Sequence, residues 1–245
     1  MLAGLFRNRR FQFRPVLTVF SLAGLGVLIS LGVWQLKRLE WKEGLIAKIE
    51  ARTEAPPIAF EEARARAEAG EDMEYTPVKL TGRWRQNSEA MVFGSYEGMA
   101  GIYLFAPVQS VGANDLVYVN LGYLPQSMGD WPAHAPLYLT PGQTEIVGLF
   151  RYTEEATPPA SWFQSTDQSP DGLWFVRDPL RFAEVAEIET SPYYIDSFAR
   201  EGAKWPKGGT TRLDFRNNHL DYALTWFGLG AALCGVWLAF SLPKR

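Results

Sequence analysis

The sequence predicts a membrane protein in which two terminal transmembrane α-helices flank a mostly antiparallel, β-rich (α+β) extracytoplasmic domain, barrel-like or sandwich-like in its strand spacing. Three observations predict it. No charged residue occurs from Val16 to Leu36, and none from Tyr222 to Leu242. Each run is roughly 21 residues, or about 31 Å as a helix, which matches a hydrocarbon core of about 30 Å. Between the runs, short stretches alternate apolar and polar side chains and are punctuated by glycine and proline, as strands with one buried face are.

Taken in order, residues 1–15 form a polar tail, with Arg7, Arg9, Arg10 and Arg14 and no acid. Residues 16–36 are the first span. A basic tail before an apolar run also opens a signal peptide, but this run is long and leads directly into Gly32-Val33-Trp34-Gln35 with no small-x-small cleavage pattern. An uncleaved anchor is expected. Residues 37–221 make the central domain, 222–242 the second span, and 243–245 a short tail ending Pro243-Lys244-Arg245. The basic tails place both ends in the cytoplasm and the central domain in the periplasm of a bacterial inner membrane. In a mitochondrion the equivalents are the matrix and the intermembrane space of the inner membrane.

Helical character continues beyond the first span, with Leu39, Leu45, Ile46 and Ile49 among charges, until Thr53-Glu54-Ala55-Pro56-Pro57 ends it. A short polar helix is expected over Ala59 to Glu68, stopped by Gly70. Tyr75 to Trp84 reads as a strand, followed by strand signals at 90–93, 102–108, 116–121, 145–152, 173–176 and 193–195. A further helix is expected over 179–187. The segments 153–170 and 202–210 read as loops.

Composition excludes several functions. The chain of 245 residues carries a formal charge of −3 without a basic cluster in its centre, so nucleic acid is not an expected partner. Its single cysteine, Cys234, lies inside the second span and allows neither an intramolecular disulfide nor a cysteine-built zinc site. Gly94-Ser95-Tyr96-Glu97-Gly98 has the wrong spacing for a nucleophile elbow, and Gly24-Leu25-Gly26 lies in a span rather than in a phosphate loop. Glu154-Glu155 reads as solvated surface. No acid, base or nucleophile constellation is visible, so no enzyme is expected.

The two histidines differ in setting. His134 sits in a proline-bounded loop and reads as a surface residue. His219 stands just before the second span, on one helical face with Tyr222, Trp226 and Gly230. An imidazole there is either a metal ligand, as the axial histidine of haem iron is, or a polar residue at headgroup level. At the matching end of the first span, Ser30, Trp34, Arg38 and Trp41 form a stripe. It reads as an aromatic belt with a snorkelling arginine, or as a face that brings Arg38 near a carboxylate beside the histidine. Gly26-x-x-x-Ser30, Gly228-x-x-x-Ala232 and Ala231-x-x-x-Gly235 offer small residues through which the spans could pack.

At these residues the chain resembles the surfeit locus protein 1 family, the cytochrome oxidase assembly factors of mitochondria and bacteria. The resemblance rests on Gly32-x-Trp34-Gln35-x-x-Arg38-x-x-Trp41-Lys42, on Tyr75-x-Pro77-Val78 with Gly82, and on Val117-x-Val119-Asn120-x-Gly122-Tyr123-x-Pro125. Trp174-Phe175-x-Arg177-Asp178 also matches, and Asn218-His219-Leu220-x-Tyr222-Ala223-x-Thr225-Trp226-Phe227 is the most specific. Leu121 and Tyr123 depart from it, standing where the family often has arginine and tryptophan. The resemblance implies an assembly factor for a haem-copper cytochrome c oxidase that binds haem a and assists its insertion into the catalytic subunit. His219 would be the axial iron ligand, with Tyr222, Trp226, Trp34 and Arg38 around the haem and Arg38 or Arg216 at its propionates. The implied partners are the oxidase catalytic subunit, the haem a synthesis machinery and the lipid bilayer. The alternative is a membrane scaffold that stabilises a nascent oxidase subunit and binds no haem.

Overall fold

The computed structural model describes residues 13–111, 115–154, 165–200, 202–211 and 217–242. Arg7, Arg9, Arg10, Glu155, Arg216, Lys244 and Arg245 lie outside the described residues, as does the side chain of His134. The chain forms two compact units, one of Met1–Lys48 with Asp214–Arg245 and one of Ile49–Leu213.

The first unit holds α1 (Pro15–Thr53) up to Lys48 together with α5 (His219–Ser241), and both helices are long and apolar enough to cross a membrane. At 1.5 Å per residue the 39 residues of α1 reach about 58 Å, well beyond a hydrocarbon core, so the helix outlasts its apolar run. It stops at Thr53, ahead of Pro56 and Pro57, where the missing donors forbid another turn.

The second unit contains β1 (Ile58–Ala59), α2 (Phe60–Glu68), β2 (Pro77–Trp84), β3 (Ala90–Tyr96), β4 (Met99–Ser110) and β5 (Leu116–Pro125). It continues through α3 (Trp131–His134), β6 (Gln143–Tyr152), β7 (Leu173–Trp174), α4 (Pro179–Val185) and β8 (Thr190–Ser197). The sheet runs β1-β2-β6-β8-β5-β4-β3-β7, and a further pairing of β2 with β4 joins its two halves. Strands β2, β6, β8, β5 and β4 therefore close into a five-stranded ring. Most pairs are antiparallel; β5 with β8 is parallel, so the ring is a Greek-key closure of the OB type rather than a meander. That likeness concerns architecture and carries no function.

All five ring strands feed one cluster, through Val78 and Leu80, Val108, Val117 and Val119, Ile146 and Phe150, and Ile195. A cluster with that parentage is the ring interior, and Phe60 and Ala63 of α2 join it. A second cluster, with Ile102, Leu104, Leu121 and Leu124, is packed by Ala135 and Leu139 from the segment after α3. The opposite face of β4, β5 and β8 packs Phe105, Tyr118 and Tyr194 against Phe182 and Ala183 of α4 and Trp174. This explains why β5 is buried along nearly its whole length although the sequence suggests one polar face. The loop expected around His134 contains α3 and a following 3₁₀ turn over Ala135–Tyr138, held because Ala135 and Leu139 are core residues.

The polar residue of the central strand has a structural task. Asn120 donates from Nδ2 to Asp196 Oδ1 at 2.8 Å, and its Oδ1 accepts the Gly122 N–H at 3.0 Å. These bonds straddle a bulge in the β4–β5 pairing, where Gly122 takes φ +124° and a Cβ would strike the Lys207 backbone. Leu121 and Tyr123, the two departures from the family pattern, are both fully buried on either side of Gly122. The Tyr123 hydroxyl donates towards the carbonyls of Met99 and Ala100 at 2.9 Å.

Asp196 also accepts from Arg151 at 2.5 Å and from the Thr211 hydroxyl at 2.9 Å, and Arg151 reaches Glu74 at 2.7 Å. Burial disfavours the charge on Arg151, but Tyr194, Asp196 and Glu74 more than offset it and hold its pKa above the usual guanidinium range. Burial also pushes the Glu74 carboxyl upward, against the pull of Arg151. With Asp196 and Arg151 only 3% and 8% exposed, removing one partner strands a charge in the barrel wall. Asp196→Ala is expected to destabilise the central domain by about 3–5 kcal/mol, while Arg151→Met with Asp196→Leu costs less than the single change. Thermal melts of the detergent-solubilised protein, followed by near-ultraviolet circular dichroism, check both.

Candidate functional site

The first unit is held together along one stripe of each helix. On α1 the covered positions recur as Thr18, Ser21, Leu25, Leu28, Gly32, Gln35, Leu39 and Lys42, the alternating three-and-four spacing of a left-handed helix pair. On α5 they are His219, Ala223, Trp226, Gly230, Leu233 and Trp237. The helices run antiparallel. Trp237 Nε1 donates to Thr18 Oγ1 at 3.1 Å at one end, and His219 Nδ1 meets Gln35 Oε1 at 2.7 Å at the other.

Glycines set the closeness between those bonds. A Cβ on Gly32 would stand 2.5 Å from the Phe227 ring, one on Gly24 3.2 Å from Leu233, and one on Gly230 3.3 Å from Leu25. The small-residue pairs suggested by the sequence take a different place. Nothing lies within 4 Å of a Cβ built on Gly26, Gly228 or Gly235, and Ser30 turns its hydroxyl back to the Gly26 carbonyl at 2.7 Å. The contact follows the seven-residue repeat, which carries Gly32 and Gly230 instead, with Gly24 beside it.

The same geometry sorts the sequence-derived site residues. His219 is half-buried and paired with Gln35. Together with Lys42, Asn218 and Tyr222 it lines an open cleft of about 320 Å³. Trp226 lies two turns along α5, half-buried, with its indole N–H buried and unbonded among the described residues. Trp34 is 55% exposed, and Arg38 is exposed with its guanidinium 3.9 Å from the Trp41 ring centre. Trp34, Arg38 and Trp41 thus share the side of α1 turned away from α5, where a cation over an indole suits an interfacial belt.

Gln35 and Lys42 were not singled out by sequence reasoning. The signal for Gln35 was present: a carboxamide inside an otherwise apolar or hydroxyl-bearing run needs a bonding partner in the protein. Lys42 follows from Gln35 at the next heptad step. The described residues contain no group of three or more His, Cys, Asp or Glu able to hold a metal ion.

With this geometry in view, known proteins place the chain. The pattern of the SURF1 family matches residues 22–231, which runs from two turns into α1 to the middle of α5. The chain belongs to the SURF1 family. Rat surfeit locus protein 1 is 30% identical over 85% of this chain and 70% of its own length. The human protein is 29% identical over 85% of this chain and 72% of its own. The pufferfish protein from Takifugu rubripes is 29% identical over 88% and 92%. The family match covers most of the helix pair and the whole barrel.

The pairing of the spans generates a chemical test. A Cβ on Gly230 would lie 4.0 Å from the Leu28 Cβ, within the disulfide range of about 3.5–4.5 Å. Leu28→Cys with Gly230→Cys, in a Cys234→Ser background, is expected to cross-link within the chain under mild oxidation. Leu28→Cys with Gly228→Cys is expected not to. Mass spectrometry of the tryptic disulfide peptide checks both.

Proposed function

We propose that this SURF1 family member is an assembly factor for a haem-copper cytochrome c oxidase, a non-catalytic carrier that binds haem a through His219 and passes it to the catalytic subunit. One observation carries the reading. Nδ1 lies 2.7 Å from the Gln35 carboxamide oxygen, which can only accept, so in the neutral ring this contact favours the proton on Nδ1 and leaves the Nε2 lone pair available. An imidazole secured through one nitrogen, on a residue that lines an open cleft, is the arrangement that metal-bound histidines use.

The surroundings fit the group. Haem iron supplies a coordination position for an imidazole nitrogen. Lys42, on the same cleft, provides an ammonium suited to a propionate, a role the sequence had offered to Arg38 or Arg216. Tyr222 and Trp226 extend the site from the cleft along α5 into the apolar span, towards the environment an isoprenoid tail needs. Trp34 and Arg38, on the outward side of α1, serve at headgroup level. With one imidazole and an open mouth, the site suits transfer better than permanent storage.

In this reading the spans lie in a bacterial inner membrane, or the mitochondrial inner membrane, with the barrel on the periplasmic or intermembrane side. The catalytic subunit and the haem a synthesis machinery are the partners. The non-haem scaffold remains the rival, favoured by the exposed Trp34–Arg38–Trp41 side, which a neighbouring helix could cover. Purification from cells that make haem a separates the two. The wild-type protein is expected to carry about one haem per chain, and His219→Ala under about a tenth of that, with the barrel still folded. Equal pigment in both proteins, or none in either with oxidase assembly intact, would favour the scaffold.

A further inference from the structure

We propose that Gln35 is a positioning residue that holds the His219 ring as its Nδ1–H tautomer and makes the open nitrogen available only while the two spans are paired. Free histidine in water prefers the other tautomer, with the proton on Nε2, which would block that nitrogen. The 2.7 Å contact from Nδ1 to Gln35 Oε1 reverses the preference. Gln35 is 8% exposed, so its carbonyl has little water to turn to and forfeits a bond if the ring flips.

The lock spans two helices. The acceptor belongs to α1 and the imidazole to α5, and the register that brings them together is set by Gly32 against Phe227 one turn away. A shift in that register removes the acceptor and frees the ring. The hold on a ligand is thereby conditional on helix packing, which is a means of release that needs no chemistry at the ligand.

The neutrality of the amide matters as well. A carboxylate behind an imidazole pushes more electron density to the coordinating nitrogen and strengthens the bond it makes, and it also places a charge between two spans. A carboxamide fixes the ring with less of either effect. Only this ligand-strength argument rests on the haem reading; the tautomer is a property of the protein alone.

The experiment uses the full chain in detergent micelles, labelled with ¹⁵N-histidine and carrying His134→Gln so that one imidazole reports. Nitrogen shifts recorded above pH 8 are expected to show Nδ1–H in the wild type, Nε2–H dominant in Gln35→Leu, and Nδ1–H restored in Gln35→Glu. Nε2–H in the wild type, or no change in Gln35→Leu, overturns the proposal. The Leu28–Gly230 cysteine cross-link, made in the Gln35→Leu background, confirms that the spans still pair. Titration with ferric haem a then reads the consequence. Gln35→Leu is expected to bind about 10–100-fold more weakly, and Gln35→Glu to bind more tightly and release more slowly. Unchanged affinity in Gln35→Leu despite a changed tautomer overturns the positioning role. Should no form bind haem a while the tautomer moves as expected, the lock stands and the carrier reading fails.

Discussion

A polar side chain within a membrane span has to find its partner inside the protein, because the surrounding hydrocarbon offers none. The helix pair obeys this constraint at both ends. Thr18 is answered by Trp237, and Gln35 by His219, with glycines between them that let the backbones approach. Dispersion alone would hold two such helices in several registers. The fit of Gly32 against Phe227 selects one in which both hydrogen bonds are made, and in that register His219 lines a cleft with Lys42, Asn218 and Tyr222.

The barrel solves the same problem with a different solvent. Closing five strands removes most of the exposed sheet edge and buries both faces of its central strands. The carboxylate of Asp196 is then deep enough to require Asn120, Arg151 and Thr211 together. Asn120 also secures the bulge at Gly122, so one side chain serves both the ion cluster and the shape of the strand. The central-strand segment around Asn120 and Gly122 is thus a folding device in this chain, with Leu121 and Tyr123 packed as core on either side.

Much of this was legible in advance. The spans declared themselves by length and lack of charge, the stop of α1 by Pro56 and Pro57, and most strands by alternation and turn residues. The short β1 escaped notice because two residues carry no period. The segment around His134 was read as loop because its prolines and brevity hide the packing of Ala135 and Leu139. In the site, His219, Tyr222 and Trp226 were visible as one helical face. Gln35 and Lys42 were not, because attention went to the stripe through Trp34 and Arg38, and a single helix gives no sign of which stripe its neighbour covers.

The sequence by itself determined which segments enter lipid, which alternate as strands, and that an imidazole stands at the head of the second span. Those are local properties, written in composition and period. The tertiary structure alone decided that β2 meets β4 to close the ring, that Asp196 sits between Arg151 and Asn120, and that Gln35 rather than Arg38 faces the histidine. Each of these joins residues far apart in the chain, and the choice among partners is made by packing, where a glycine that admits a ring or a carbonyl that lacks water outweighs any local preference.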